Sequence, residues 1–177
     1  MNLAIIPHND DEGLFLAYTC MREKPLVLVI TDSHIQPNRG EVVCSAEERW
    51  QESVEACKIL GCPVIRIGLR DDTLTEDDVR TALKRFSGFD KVYAPAIQGG
   101  NPQHDMIGKV AKELFNVIEY TTYTKTELWT KGNIEIIPTQ EEMDLKNKAL
   151  LCYISQVNLP STRPHFEAVK NKSEFYA

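Results

Sequence analysis

One imidazole and three carboxylates fall within five residues of this chain, in the segment Pro7-His8-Asn9-Asp10-Asp11-Glu12. Acids crowded this closely repel one another, and a divalent cation would offset the repulsion. A histidine nitrogen and a carboxylate oxygen are suitable zinc ligands. His8 and Asp11 are therefore candidate ligands, with Asp10 left to point elsewhere and handle a proton. The same residues also suit a helix start without any metal. Asn9 or Asp10 would cap the first turn, with Asp11 and Glu12 at its positive end. The two roles are compatible, since both need the turn held at a helix N-terminus.

A centre with two protein ligands needs a third from elsewhere. His104 is the candidate, in Gly99-Gly100-Asn101-Pro102-Gln103-His104-Asp105. Glycine permits close backbone approach and proline stiffens it. Taken alone, His104 equally suits a solvated or capping position. His34 and Arg39 lie in a polar loop from Asp32 to Val43 and are candidates for touching substrate; their alternative is simple exposure. Glu12 is expected to support the turn rather than to catalyse. Arg49 and Glu52 are expected as a pair behind it, and His165 as a surface residue. Trp129 could stack on a sugar, although packing is the commoner use of an aromatic ring.

These groups matter only if the fold brings them together. Leu3-Ala4-Ile5-Ile6, Leu26 to Thr31, Pro63 to Ile67 and Lys91 to Ala94 are short apolar runs, several rich in β-branched residues. Such runs are expected of strands buried on both faces of a parallel sheet. Val117 to Thr122 and Ile134 to Ile137 are expected as edge strands. Helical patterns fill the gaps. Leu14 to Arg22 forms the first. Ser45 with Glu48 makes a capping box, and Gly61 provides a stop. Ala46, Trp50, Val54, Cys57 and Leu60 are expected on the inner face of that helix. Thr75 with Asp78 and Thr139 with Glu142 open two more, and Ile107, Val110, Ala111 and Leu114 mark another. Met143, Leu150 and Ile154 are the expected apolar positions of the late helix. The tail from Asn158 to Ala177 is expected to wrap the surface. Alternating strands and helices predict an α/β fold, a three-layer sandwich with a doubly wound, mainly parallel sheet. His8 and His104 would then both follow strand ends at the carboxyl edge, where ligands bind in such sheets.

The 177 residues fit one domain, taken as residues 1–177. A net charge of −6 argues against binding a phosphate backbone. Neither G-x-G-x-x-G nor G-x-x-x-x-G-K-[ST] occurs, and acids occupy the first strand-to-helix turn where a nucleotide phosphate would sit. No apolar stretch reaches the length of a membrane span. The N-terminus shows no secretory pattern. The five cysteines are odd in number and form no C-x-x-C pair, so reduced, mostly buried thiols in a cytoplasmic protein are expected.

Four segments in order resemble the PIG-L/LmbE-like deacetylases. His8-Asn9-Asp10-Asp11-Glu12 is similar to their H-P-D-D-E signature, and Asn101-Pro102-Gln103-His104 to their H-P-D-H motif. Arg49, Glu52, Ala56 and Leu60-Gly61 match R-x-x-E-x-x-x-A-x-x-x-L-G. Lys146, Ala149-Leu150 and Ser155-Gln156 resemble a late helix of the family. The resemblance implies His8, Asp11 and His104 as ligands to zinc, with Fe2+ or another divalent cation as alternatives. It implies Asp10 as the general base acting on a metal-bound water. The substrate would be a small N-acetyl amino sugar or glycoconjugate, losing acetate. Asn9 departs from the usual proline and Asn101 from the usual first histidine of H-P-D-H. Asn101 can donate a neutral hydrogen bond to an oxyanion but has no titratable proton. Asp10 is therefore expected to serve both proton transfers, or the reaction to be slower, or the substrate to need less acid assistance. The alternative is an altered member that hydrolyses another bond or only binds a sugar-like ligand. A homo-oligomer would suit so short a pocket.

Overall fold

The computed structural model describes residues 1–36, 41–42 and 44–177, so Arg39 lies outside the described residues. The elements run β1 (Leu3–Ile6), α1 (Asp11–Phe15), α2 (Ala17–Glu23), β2 (Leu26–Thr31), β3 (Ile35–Gln36), β4 (Glu41–Val42) and α3 (Ala46–Leu60). They continue with β5 (Val64–Leu69), α4 (Glu76–Leu83), β6 (Val92–Pro95), α5 (Pro102–Leu114), β7 (Val117–Tyr120), β8 (Ile134–Ile136), α6 (Gln140–Leu150), α7 (Ile154–Val157), α8 (Arg163–Val169) and β9 (Glu174–Tyr176). Seven strands form one sheet in the order β5-β2-β1-β6-β7-β9-β8, parallel from β5 through β7. The α/β sandwich expected from the sequence is the observed architecture.

Alternation along each strand divides the core. Ala4, Ile6, Val27 and Val29 face the layer holding α1, α2, α3, α6 and α8. Leu3, Ile5, Leu28 and Ile30 face α4 and α5. β1 pairs with β2 on one side and with β6 on the other. The chain therefore winds outward from β1 through β2 to β5, then returns to β6. This reversal opens a crevice at the carboxyl ends of β1 and β6. His8 leaves β1 and His104 follows β6, so topology alone directs them to the same place. Gly108 lets α5 sit close upon β6: an added Cβ would lie 2.3 Å from the Pro95 carbonyl oxygen.

Several expectations need correction. β7 is an interior strand, because the tail supplies β9 beyond it. The tail does not simply wrap the surface: it contributes α8 and β9, and Glu174 and Phe175 are buried. The buried face of α3 is Arg49, Ser53, Ala56, Cys57 and Leu60 rather than the purely apolar set. Ile154 is exposed. Three cysteines, Cys20, Cys57 and Cys62, are buried and the other two half-buried. Among the described residues no helix is long and apolar enough to cross a membrane.

Candidate metal centre

β1 ends at Pro7, and the chain turns directly into α1. Asp10 occupies the cap position of α1, but its side chain makes no capping bond. Asp10 Oδ2 instead accepts from Arg49 Nη2 at 3.0 Å. Asp11 folds back, so that its Oδ2 accepts the His8 backbone N–H at 2.9 Å. That oxygen lies 3.2 Å from His8 Nδ1 and 3.2 Å from His104 Nε2. The two nitrogens are 3.1 Å apart. Three ligand-type atoms thus form a nearly equilateral triangle. Atoms bound about 2.0–2.1 Å from a tetrahedral zinc would stand about 3.3–3.4 Å from one another, so the triangle fits such an ion.

The surroundings fix these atoms. Gln103 Oε1 sits 2.6 Å from His8 Nε2, and Gln103 Nε2 donates to the Asp71 carbonyl at 2.9 Å. Because the amide oxygen can only accept, His8 keeps a proton on Nε2, so that loss of the proton from Nδ1 would free that nitrogen as a ligand. Burial disfavours a charged His8, but the hydrogen bond and charge of Asp11, with Asp71 and Asp10 farther off, raise its pKa to about 9. Burial raises the Asp11 pKa, yet His104 and His8 pull it well below the usual carboxylate range. The proton-bearing cluster is thus held together by the charges a cation would replace. Behind the turn, Glu12 is fully buried and accepts from Ser53 Oγ at 2.5 Å. Burial pushes its carboxyl up to about 8 despite that bond. Arg49 also lies 3.5 Å from Glu52, as the sequence suggested.

Asn101 caps α5, its Oδ1 accepting the Gln103 N–H at 2.8 Å while Nδ2 donates to the Tyr123 hydroxyl at 3.1 Å. One amide hydrogen remains. Gly100 allows this approach, since a Cβ there would lie 2.1 Å from the Tyr123 carbonyl oxygen. His34 joins a second group, with Nδ1 2.9 Å from Asp32 Oδ1. Asp32, His34 and Asp71 offer ligand atoms within 4.8 Å of one another. Trp129 is occupied by packing, edge-on to Phe175 at 5.4 Å and donating to the Ser173 carbonyl.

Sequence reasoning missed Tyr123, Gln103, Asp71 and His165. Gln103 and Asp71 carried a usable signal: each polar side chain follows a strand end at the carboxyl edge. Tyr123 and His165 carried none. His165 was expected at the surface and is instead half-buried, because α8 packs against α1 beside the site.

A family profile described as PIG-L, GlcNAc-PI de-N-acetylase, matches residues 3–115. No curated protein matches the sequence. Among solved structures, a deacetylase triple mutant of the teicoplanin biosynthetic pathway is 18% identical at a TM-score of 0.69, covering 94% of this chain and 88% of its own. N,N'-diacetylchitobiose deacetylase from Pyrococcus horikoshii is 20% identical at a TM-score of 0.69, covering 99% and 82%. The 4-carboxy-2-hydroxymuconate hydratase from Pseudomonas putida is 14% identical at a TM-score of 0.65, covering 95% and 82%. At these identities the likeness shows the fold.

Proposed function

The chain belongs to the PIG-L family, matched over residues 3–115, and from that premise we propose that it is a metal-dependent hydrolase removing an N-acetyl group from an amino sugar or sugar conjugate. The observation that carries this is the triangle of His8 Nδ1, Asp11 Oδ2 and His104 Nε2, with sides of 3.1–3.2 Å. Three donors of this kind suit zinc, with Fe2+ or another divalent cation as the alternative. When bound, such an ion supplies an acidified water and a polarised amide carbonyl.

The residues of the chain do the rest. Gln103 orients His8. Arg49 takes Asp10 Oδ2, leaving Oδ1 to accept the proton of the attacking water. As the new C–O bond forms, the remaining Asn101 amide hydrogen is available to the developing oxyanion. As the C–N bond breaks, Asp10 returns its proton to the departing nitrogen, so acetate and a free amine leave with atoms balanced. Glu12 holds the turn from behind. His34 and Arg39 remain substrate-binding candidates, His34 through its position beside Asp32 and Asp71. The net charge of −6 favours a small sugar-like substrate over nucleic acid, and the odd, largely buried cysteines suit the cytoplasm.

Zinc-loaded protein should release acetate from a panel of N-acetylated amino sugars and conjugates. Asp10→Asn should bind zinc normally and lose about 10²–10⁴-fold in kcat. Zinc bound at one per chain with no acetate from any compound would move the reaction to another bond. An active Asp10→Asn would remove Asp10 from the mechanism.

A further inference from the structure

The catalytic scheme above leaves one heteroatom-bearing ring at the centre without a task. His165, on α8, stands edge-on to Tyr123 with ring centroids 4.8 Å apart. Tyr123 lies 5.3 Å from His104, which lies 5.0 Å from His8. A file of four rings therefore runs from the ligand triangle out to α8. Burial lowers the His165 pKa, Asp10 and Asp11 oppose that, and His104 adds to it. Burial thus favours the neutral ring, which shares the electrostatic field of the centre.

Packing does not require a histidine here. Phe166 and Val169 are the buried anchors of α8. Among the described residues, no partner takes either His165 ring nitrogen. The neighbouring polar side chains already have tasks: Gln103 is bonded at both ends of its amide, Asp10 Oδ2 is held by Arg49 with Oδ1 left for the water proton, and Asn101 is held by the α5 cap and Tyr123 with one amide hydrogen left for the oxyanion. An N-acetyl amide presents one C=O and one N–H. The carbonyl would fall to a bound ion held by His8, Asp11 and His104 and to Asn101, which leaves the N–H in need of an acceptor. A neutral imidazole offers one lone pair.

We propose that His165 is a substrate-contacting residue whose ring nitrogen accepts the amide N–H of the N-acetyl group, across the pocket from Asp10. The proposal rests on the deacetylase reading. It places a residue of the C-terminal helix in direct contact with the reacting group, and it predicts selectivity for amides over esters, which have no N–H to give.

The test uses the zinc-loaded full chain and two variants. His165→Phe keeps a ring against Tyr123 but has no acceptor, whereas His165→Gln keeps an acceptor. His165→Phe should lower kcat/KM for an N-acetylated sugar by about 10-fold, the value of one neutral hydrogen bond. His165→Gln should recover most of it. Hydrolysis of 4-nitrophenyl acetate should be equal in all three proteins. The chain has four histidines, so imidazole nitrogen NMR gives a second readout. Zinc should shift the His8 and His104 signals, and N-acetylglucosamine should then shift the signal missing in His165→Gln. Acetate release with a stationary His165 signal and a fully active His165→Phe overturns the inference and leaves the deacetylase intact. A moving His165 signal without acetate release from any amide overturns the reaction and leaves the contact. A His165→Phe loss that His165→Gln does not rescue, or that is equal on the ester, makes the residue merely structural.

Discussion

Helices α1 and α2 both start beside buried carboxylates, yet the two starts are wired differently. At α2, Glu174 accepts the N–H groups of Ala17 and Tyr18 at 2.8 and 3.1 Å. Lys146 Nζ donates to the same carboxylate at 2.8 Å and to the Leu14 carbonyl at 3.0 Å. Its ammonium also lies 4.8 Å over the Tyr18 ring. Every charge there meets a complementary group supplied by the protein. At α1, Asp10 has Arg49, but Asp11 Oδ2 faces two imidazole nitrogens, and among the described residues Glu12 Oε2 and His104 Nδ1 have no hydrogen-bond partner. A carboxylate closed on all sides is a joint. One aimed at two ligand-type nitrogens is an invitation to a cation. The distinction lies in what the neighbours offer, since burial is the same in both.

The largest effect should come from opening the joint. Lys146→Met leaves Glu174 buried without its cation and should cost about 3–5 kcal/mol of stability. Adding Glu174→Gln removes the stranded charge and keeps one acceptor oxygen of the two that the N–H groups use, so the double variant should recover part of the loss. Urea unfolding of the three proteins measures this. A Lys146→Met cost below about 1 kcal/mol would mean the pair is not a closed unit, and the contrast with α1 would fail.

A smaller effect sharpens the other side. Zinc at 100 times its dissociation constant should stabilise the wild-type protein by about 2.7 kcal/mol. His104→Ala should abolish that increment, whereas Lys146→Met should retain it in full, despite being the less stable protein. Thermal melts with and without zinc give both numbers. Retention of the increment by His104→Ala would place any bound zinc elsewhere, the group of Asp32, His34 and Asp71 being the first place to look.

The contrast also explains what was legible in the sequence. Leu26 to Thr31 was readable to the residue, and the capping boxes at Ser45, Thr75 and Thr139 all form, because apolar runs and caps are decided by neighbours in the chain. The ligand candidates were readable because His8 and Asp11 share one turn and His104 follows a strand end. The inner face of α3 was not. Apolar periodicity selects Trp50 and Val54, but Arg49 and Ser53 turn inward because Asp10 and Glu12 wait there. The tail strand, Tyr123 and His165 depend on pairing across most of the chain, and nothing local announces them. Lys146 and Glu174 illustrate the same limit: each reads as a surface charge until β9 is seen to slot between β7 and β8.

The smallest effect concerns Glu12, where the two kinds of wiring meet. Its carboxyl is buried like that of Glu174, and burial raises both; Lys146 opposes the shift only at Glu174, and Glu12 reaches a folded pKa of about 8 against the ordinary 4.5. The folded chain therefore keeps the proton across a window in which the unfolded chain has lost it. By linkage, that contribution to stability is fully present below pH 4.5 and is lost as pH rises through 8. His8, raised from 6.5 to about 9, runs in the same direction between those values. It is common to wild type and variant and drops out of their difference. In zinc-free protein at pH 5, Glu12→Gln replaces a neutral acid by a neutral amide of the same shape, and the Ser53 hydroxyl still has a carbonyl oxygen to donate to. The change in stability there should be under about 0.5 kcal/mol. Above pH 8 the variant should become the more stable protein, because wild type must then either ionise a buried group or bind a scarce proton. Unfolding midpoints at pH 5 and pH 9 decide the matter. Equal stability at both pH values would show that Glu12 is ionised throughout and charge-balanced as Glu174 is, and the first turn would then be a joint as well as a site.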